Sequence, residues 1–174
     1  MSPLPKPPVS CLAQWYAVQT RYRFERKVTA QLQHKGLETF LPVLEEIRRW
    51  SDRQKRVATP LFSGYTFAHF DLSSGLRREL LRTEGVIGVL SFAGEAAPVP
   101  SKQIQDLQLL LSHQVPCALH AFLKIGQKVR IRGGCLDGLE GILEQRGEKN
   151  LVISIESIRQ SVAIKIEGYE LEMI

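Results

Sequence analysis

Cysteine is scarce in this sequence, and long apolar runs are absent. The 174 residues include three cysteines, Cys11, Cys117 and Cys135, which lie far apart and form no Cys-x-x-Cys pair. This spacing predicts neither a disulfide framework nor a structural zinc site, and we expect three small, reduced thiols. No apolar run approaches the roughly 20 residues that a membrane-spanning helix needs.

A targeting signal is also missing from the start of the sequence. The opening segment, MSPLPKPPVSCLA, is rich in proline and contains no apolar core of signal-peptide length. We therefore expect residues 1–12 to be a disordered tail and the protein to be cytoplasmic.

Motifs of enzymes and metal sites do not occur. The four histidines, His34, His69, His113 and His120, are scattered and show no metal-ligand spacing. There is no nucleophile elbow, no Walker loop and no arrangement of cysteine with histidine. The sequence therefore predicts a protein that is not an enzyme and that binds neither a metal nor a cofactor.

Positive charge is concentrated in the first part of the chain. The formal net charge is +5; residues 1–112 contain 15 Lys and Arg against 10 Asp and Glu, whereas residues 113–174 contain 8 of each kind. This surplus suits contact with a polyanion such as nucleic acid, although a solvated basic surface is the alternative. The neutral second part gives no such indication.

The first part alternates between strand and helix patterns. Period-two runs predict strands at 15–20, 37–50, 55–70 and 86–92. Apolar residues at helical spacing predict helices at 23–35, 73–83 and 102–113. In the second helix Leu76, Leu80 and Leu81 are expected to face inward, and Ser101 is expected to cap the third. This order predicts an α+β fold, with one antiparallel sheet and helices packed on it.

The second part contains strand patterns alone. A break at residues 113–122, which contains Pro116, is interpreted as a linker. Five short strand patterns follow it, separated by turns, and they predict a small closed barrel because closure removes exposed sheet edges.

Glycines punctuate the start of this barrel. Gly133 and Gly134 permit positive φ after a strand, and Gly141 falls where a side chain would crowd the neighbouring backbone. The spacing resembles the KOW motif of SH3-like barrels in transcription and ribosomal proteins. The matching positions are Gly126, Val129, Arg130, Ile131, Gly134, Gly138 and Gly141.

Two stretches of the first part resemble NusG-type transcription elongation factors. WYAVQT, at residues 15–20, resembles the first strand of that family, and PLFSGYTFAHF, at residues 60–70, resembles a later one, with Ser63 where the family usually has proline. With the KOW motif they follow the family's order over residues 13–174. The resemblance implies an NGN-like domain at residues 13–112, a linker at 113–122 and a KOW barrel at 123–174.

The resemblance also implies a function. Such factors bind the clamp helices of the largest RNA polymerase subunit through an apolar patch, and they change pausing or termination. The matching aromatic residues here are Tyr16, Phe62, Tyr65 and Phe67, and binding requires them to be exposed. The alternative is that they belong to the core. In a regular strand, Phe62 would lie on the opposite face from Tyr65 and Phe67.

A basic hairpin tip is predicted between the second and third strands, at RRWSDRQKR (48–56). Cations around an aromatic ring suit single-stranded nucleic acid, which offers phosphates and stackable bases; a solvated loop is the alternative. By the resemblance the target would be upstream or non-template DNA. The predicted contacts are Arg23, Arg48, Arg49, Trp50, Arg53, Lys55, Arg56 and Arg77.

The barrel is expected to recruit a second protein. In NusG a loop residue before the fourth barrel strand contacts the termination factor Rho or a ribosomal small-subunit protein, and the matching residue here is Ile158. That family position is aromatic. The aliphatic residue, with Ser63 and the proline-rich tail, favours a specialised paralogue of the RfaH, UpxY or LoaP kind, and we expect a monomer.

A different function remains open on the sequence alone. KOW barrels also occur in proteins that bind RNA or the ribosome, so a role in translation is the alternative to a role in transcription. A strongly basic barrel would favour that alternative, and this barrel is neutral.

Overall fold

The computed structural model describes residues 13–145 and 147–174, so the predicted tail and Cys11 lie outside the described residues. A mixed α/β part precedes an all-β part. The elements of the first part are β1 (Gln14–Thr20), α1 (Glu25–His34), β2 (Glu38–Phe40), β3 (Val43–Arg49), β4 (Gln54–Pro60), β5 (Tyr65–Phe70), α2 (Leu76–Leu81), β6 (Val86–Val89), β7 (Ser91–Phe92), β8 (Glu95–Ala96), β9 (Pro98–Val99) and α3 (Ser101–Ser112). The elements of the second part are β10 (Cys117–His120), β11 (Gln127–Arg132), β12 (Glu140–Glu144), β13 (Asn150–Ile155), β14 (Gln160–Lys165) and β15 (Glu170–Met173).

Strand β1 is central to the first sheet. It pairs antiparallel with β5 on one side and with β6 on the other, and β2 continues the sheet beyond β5. The short strand β9 also pairs with β1. This arrangement confirms the predicted antiparallel sheet flanked by helices. No helix in the described ranges is long and apolar enough to cross a membrane.

The two faces of this sheet carry different helices. Tyr16 and Val18 of β1 belong to a buried cluster with side chains of α1 and α2. Trp15 and Ala17, which alternate with them, belong to a second cluster that includes the buried side chains of α3. The period of two along β1 therefore divides the core of the first part into two layers.

The two long predicted strands are each broken in two. Leu41 and Pro42 separate β2 from β3, and residues 61–64 separate β4 from β5. Pro42 cannot donate to a strand ladder, and Gly64 has a φ of +82°, which favours a turn. As a result β3 and β4 leave the first sheet and form a separate antiparallel hairpin.

Two details of the predicted helices are wrong. Leu81 is 46% exposed, because it follows the buried Leu80 by one position and so lies about 100° around the helix. Ser101 is the first residue of α3 and does not cap it, because Pro100 occupies the capping position with an extended ψ of 132°. The helical spacing of α3 also predicts that Ile104, Leu107, Leu110 and Leu111 share one inward face; the first three are buried and Leu111 is partly exposed.

The second part contains the five predicted strands and one more. Its six strands form a single antiparallel sheet in the order β10-β14-β13-β12-β11-β15. The additional strand, β10, falls inside the predicted linker and pairs with residues 161–164 of β14. Four residues after Pro116 are too few to show an alternating pattern, so this strand was not predicted. The domain boundaries themselves stay a prediction.

Gly141 illustrates how the glycines of the KOW-like motif shape the barrel. It lies in β12, where an added Cβ would be 2.8 Å from both the Cγ of Leu151 and the carbonyl oxygen of Val152 on β13. Real Cβ atoms do not approach backbone oxygen that closely. The residue is therefore glycine because the neighbouring strand is too near for a side chain, as the sequence predicted.

We expect Gly141→Ala to destabilise the protein by about 1–3 kcal/mol, because β13 must shift to accept the methyl group. The matched control is Gly88→Ala in β6, where an added Cβ meets no atom within 4 Å. Urea unfolding of both variants and the wild type measures the effect. Equal stability of the two variants would contradict the proposed close approach.

Helix α3 also packs against the barrel. The Lys102 ammonium contacts the Asp106 carboxylate and donates to the carbonyl oxygen of Gly138 at 2.7 Å. The backbone N–H of Glu140 donates to the second carboxylate oxygen of Asp106 at 3.4 Å. Asp106 is 4% exposed. Burial raises the pKa of Asp106, although the ion pair with Lys102 acts in the opposite direction.

This raised pKa gives a pH-dependent prediction. Between the ordinary pKa of 3.8 and the higher folded-state pKa, the folded protein binds more protons than the unfolded chain, so this carboxyl lowers stability as pH rises through that window. Asp106→Asn keeps an acceptor but does not titrate. Its free energy of unfolding, relative to wild type, should therefore increase from pH 4 to pH 7.

Urea unfolding at pH 4, 5.5 and 7 tests this prediction. A relative stability of Asp106→Asn that falls as pH rises would show that the Lys102 ion pair outweighs burial, which is the opposite of the expected order. Glu84→Gln serves as a control, because the pKa of Glu84 is lowered by its hydrogen bond and charge interaction with Lys27.

Candidate nucleic-acid and polymerase interface

The predicted basic tip is formed by the turn between β3 and β4. The backbone N–H of Trp50 donates to the carbonyl oxygen of Arg53 at 2.8 Å, which closes the turn. The guanidinium carbon of Arg53 lies 5.4 Å from the centre of the Trp50 ring, and Trp50 is 50% exposed. A solvent-accessible ring beside a cation can stack on a base and neutralise a phosphate.

Cations occupy both faces of this hairpin. Arg48 lies opposite Lys55 and Ile47 lies opposite Arg56, and neighbouring cross-strand pairs point to opposite faces. Arg48 has one weak ion pair, to Glu46 at 3.9 Å. Like charges directly opposite each other weaken a hairpin, so the Arg48–Lys55 pair favours a polyanionic ligand that relieves the repulsion.

The other two predicted nucleic-acid contacts lie elsewhere. Arg23 is exposed in the turn between β1 and α1, and Arg77 is exposed on α2. Leu80 of α2 belongs to the same buried cluster as Tyr16, so α2 and its Arg77 lie on the Tyr16 side of the sheet. Burial raises the pKa of Tyr16, nearby Asp71 raises it further, and Arg77 lowers it. The structure thus brings the six hairpin residues together and places Arg77 apart from them.

Three of the predicted polymerase contacts share one cluster. The rings of Phe62 and Phe67 are perpendicular, with centroids 6.4 Å apart, and Phe40 stacks on Phe67 at 6.3 Å. Partly buried Tyr65 packs against the same cluster. The expectation that Phe62 lies on the opposite face is wrong, because Phe62 precedes β5 in a turn where strand alternation does not apply.

Exposure of these aromatic residues differs from the expectation. Phe62, Phe67 and Tyr16 are buried, and only Tyr65 among the four reaches the surface in part. Tyr16 lies on the other face of the sheet, where its ring is 5.0 Å from that of Phe70 and its hydroxyl donates to the Oε1 of Gln14 at 3.1 Å. The four residues therefore do not form one patch.

The loop proposed to bind a partner of the barrel lies between β13 and β14. Its predicted contact, Ile158, is 7% exposed and packs into the core. The adjacent Arg159 has a φ of +51° and is exposed, with its guanidinium carbon 5.4 Å from the Phe122 ring centre. In this conformation the loop presents Arg159 to solvent, whereas Ile158 supports the loop from below.

Arg130 of the KOW-like motif has a structural position. Its guanidinium donates to the Glu140 carboxylate at 2.6 Å and lies 3.6 Å from the Glu172 carboxylate, so it joins β12 and β15 across β11. Hydrogen bonding to Glu140 raises the pKa of Arg130. Val129 and Ile131, on either side of it, are buried.

The sequence also offered a second basic cluster near α1, made of Arg21, Arg23, Arg26 and Lys27, but it did not single out Tyr22 within it. Tyr22 is 69% exposed, and the Arg23 guanidinium carbon lies 5.3 Å from its ring centre. Arg26 donates from Nη2 to the carbonyl oxygen of Ala58 in β4 at 2.7 Å. A tyrosine between two arginines was a visible signal, but its distance from the hairpin along the chain concealed the connection.

Among the described residues, no group of three or more His, Cys, Asp or Glu is placed to hold a metal ion.

Comparison with known proteins identifies the family of this chain. A family model described as "NusG: Transcription termination factor nusG" matches residues 13–108. This chain belongs to the NusG family. The matched range includes the hairpin, the aromatic cluster and most of α3, and the sequence-based resemblance to NusG-like factors is confirmed.

Individual relatives extend the similarity over most of the chain. The transcription termination/antitermination protein NusG of Borreliella burgdorferi is 22% identical over an alignment 183 residues long, which spans 92% of this chain and 98% of that protein. A solved structure on the domain interaction in Thermotoga maritima NusG matches with a TM-score of 0.54 and 20% identity, over 93% of this chain and 97% of the other. This match confirms the predicted fold class.

Membership of the NusG family gives this chain a role in transcription elongation and termination. Members of the family are non-enzymatic factors, and the prediction that this chain is not an enzyme agrees with that membership.

Proposed function

We propose that this chain binds the clamp helices of RNA polymerase through its first sheet and modulates pausing or termination. The observation that carries this proposal is the hairpin β3–β4, which extends from that sheet with an exposed tryptophan and five cations. If the first sheet binds polymerase and the hairpin contacts nucleic acid, the surplus of positive charge is expected in the first part of the chain, where it is found.

The aromatic cluster supports the polymerase contact. Phe40, Phe62 and Phe67 form a rigid base, and Tyr65 is the member with exposed surface. Buried rings fix the position of an exposed one, and a fixed aromatic side chain loses little entropy when it binds. Tyr65 is therefore the direct contact that we propose, and Phe62 and Phe67 act through its placement.

The hairpin supports a contact with upstream or non-template DNA in the cytoplasm. The exposed Trp50 ring would stack on a base, and Arg53, Lys55 and Arg56 would neutralise phosphates along the strand. Arg48 and Arg49 lie on β3, the first strand of the hairpin, and complete its positive surface. Because Arg77 is placed apart on α2, a DNA contact there would be separate from that of the hairpin.

The barrel would recruit a further protein, a ribosomal small-subunit protein or Rho, through the loop that contains Ile158 and Arg159. The exposed residues of this loop are Glu156 and Arg159, of which Arg159 lies beside Phe122, and neither is aromatic. This chemistry favours the specialised RfaH, UpxY or LoaP kind of paralogue over the housekeeping factor, and a monomer that carries two separate partner surfaces.

We expect Tyr65→Ala to weaken binding of the full chain to RNA polymerase by about tenfold, which corresponds to about 1.4 kcal/mol. The control is Phe92→Ala, which removes an 82% exposed ring from the separate β7–β8 hairpin. Co-purification and affinity measurements with bacterial RNA polymerase test the prediction, with circular dichroism to verify folding. Wild-type affinity of a folded Tyr65→Ala variant would exclude Tyr65 as a contact.

We expect the double variant Arg53→Ala with Lys55→Ala to bind polymerase normally and to bind a nucleic-acid scaffold less tightly. Loss of two phosphate contacts should lower the slope of log affinity against log salt by about 1.4 for a single strand. The control is Lys124→Ala with Lys128→Ala, which removes the same charge from exposed barrel residues. Equal scaffold binding by both double variants would exclude a role of the tip.

A further inference from the structure

The first part of the chain contains two exposed aromatic–arginine pairs. The tip pair is Trp50 with Arg53, and the turn pair is Tyr22 with Arg23, with 5.4 Å and 5.3 Å between each guanidinium carbon and its ring centre. The two rings are 50% and 69% exposed. Each pair offers a flat apolar surface and a cation at the same place.

The backbone of the turn pair is held in an uncommon conformation. Arg23 has a φ of +66°, and the backbone N–H of Phe24 donates to the carbonyl oxygen of Arg21 at 3.0 Å. Arg23 is therefore the third residue of a hydrogen-bonded turn, at a position where glycine or asparagine is usual when φ is positive. An arginine at this position is disfavoured for folding.

A direct hydrogen bond joins the region of the turn pair to the hairpin. Arg26, in the first turn of α1, donates to the carbonyl oxygen of Ala58 in β4 at 2.7 Å. Ala58 is five residues beyond Arg53, or about 17 Å along an extended strand. Arg56 lies between them and shares the face of Ala58. Arg26 therefore connects the segment that follows the turn pair to the strand that begins beside the tip pair.

Acidic side chains near the turn pair are already engaged. Glu25 is 4% exposed and accepts the backbone N–H of Gly64 at 2.7 Å. Glu84 forms an ion pair with Lys27 at 2.8 Å. These carboxylates hold the structure together and do not neutralise Arg23 or Arg26. On β3, exposed Glu45 and Glu46 lie opposite Ala58 and Val57, and the carboxylate of Glu46 is 3.9 Å from the Arg48 guanidinium.

We propose that one single strand of nucleic acid binds along β4 and contacts both pairs. Bases at the two ends of the bound segment stack on Trp50 and Tyr22, and the intervening phosphates contact Arg56 and Arg26. This inference deepens the proposed contact of the tip with nucleic acid, on which it rests, and does not depend on polymerase binding. Tyr22 is thus assigned as a second stacking residue.

The chemistry of the surface favours a single strand over other polyanions. Duplex DNA presents phosphates to a flat edge but keeps its bases stacked, so the two exposed rings would gain no partners. An acidic peptide offers charge and no regular series of planar groups. Single strands offer both, and stacking on aromatic side chains is tolerant of sequence because every base has a π-face.

The experiment measures binding of the full chain to fluorescent oligothymidylates of about 4 and about 12 nucleotides, within the range of known single-strand sites. The variants are Tyr22→Ala, Trp50→Ala and the control Phe92→Ala. We expect the wild type to bind the longer strand at least tenfold more tightly than the shorter one. Tyr22→Ala and Trp50→Ala should each weaken binding to the longer strand at least fivefold, and Phe92→Ala should not.

Different outcomes separate this inference from the proposal on which it rests. If Trp50→Ala weakens binding and Tyr22→Ala binds both strands as the wild type does, the tip contacts nucleic acid, and the assignment of Tyr22 as a second stacking residue is overturned. If the wild type binds neither strand, or prefers a duplex or a polyglutamate peptide of equal charge, both proposals of nucleic-acid contact are overturned. Tyr22→Phe should retain the affinity of the wild type, because it keeps the stacking ring.

Discussion

The position of the hairpin β3–β4 depends on how its base is fixed to the first sheet. Two adjacent residues of α1 hold that base: Glu25 accepts the N–H of Gly64 in the turn before β5, and Arg26 donates to the carbonyl oxygen of Ala58 in β4. The N–H of Leu61 donates to the carbonyl oxygen of Pro42, and this bond joins the segment between β4 and β5 to the segment between β2 and β3. The hairpin can therefore leave the sheet and still have a defined direction.

Helix α3 connects this sheet to the barrel. Its apolar residues belong to a buried cluster that includes Phe62 and Phe67 on one side and Leu136 and Leu139 of the barrel on the other. The Lys102–Asp106 pair adds polar contacts to residues 138 and 140. The aromatic base of the proposed polymerase contact and the barrel are thus coupled through one helix, so a partner that displaces the barrel would also change the packing around that base.

Much of the fold could be predicted from the sequence because its signals are local. The structure confirms three such signals: the alternation in β1, the helical spacing of Val28 and Leu32 in α1, and the crowded glycine of β12. Each of them depends only on residues close together in the chain or on the neighbouring strand. The errors arise where a longer-range contact decides. Phe62 faces Phe67 because a turn resets the strand period, and β10 exists because β14 offers it an edge.

For the candidate site, too, the residues that are neighbours in the sequence could be predicted, and the long-range contact could not. The tip residues 48–56 are consecutive, so their chemistry was visible, whereas the connection of Tyr22 to the hairpin depends on a hydrogen bond between residues 32 positions apart.

The most direct test of the account places a photo-crosslinking residue at exposed Ser51, between Trp50 and Arg53, in the full chain bound to a polymerase elongation complex. The account predicts crosslinks from this position to a single-stranded region of the nucleic-acid scaffold. When the chain is at low concentration, these crosslinks should form only if polymerase is present. Crosslinks to protein alone, or none when polymerase is present, would contradict it.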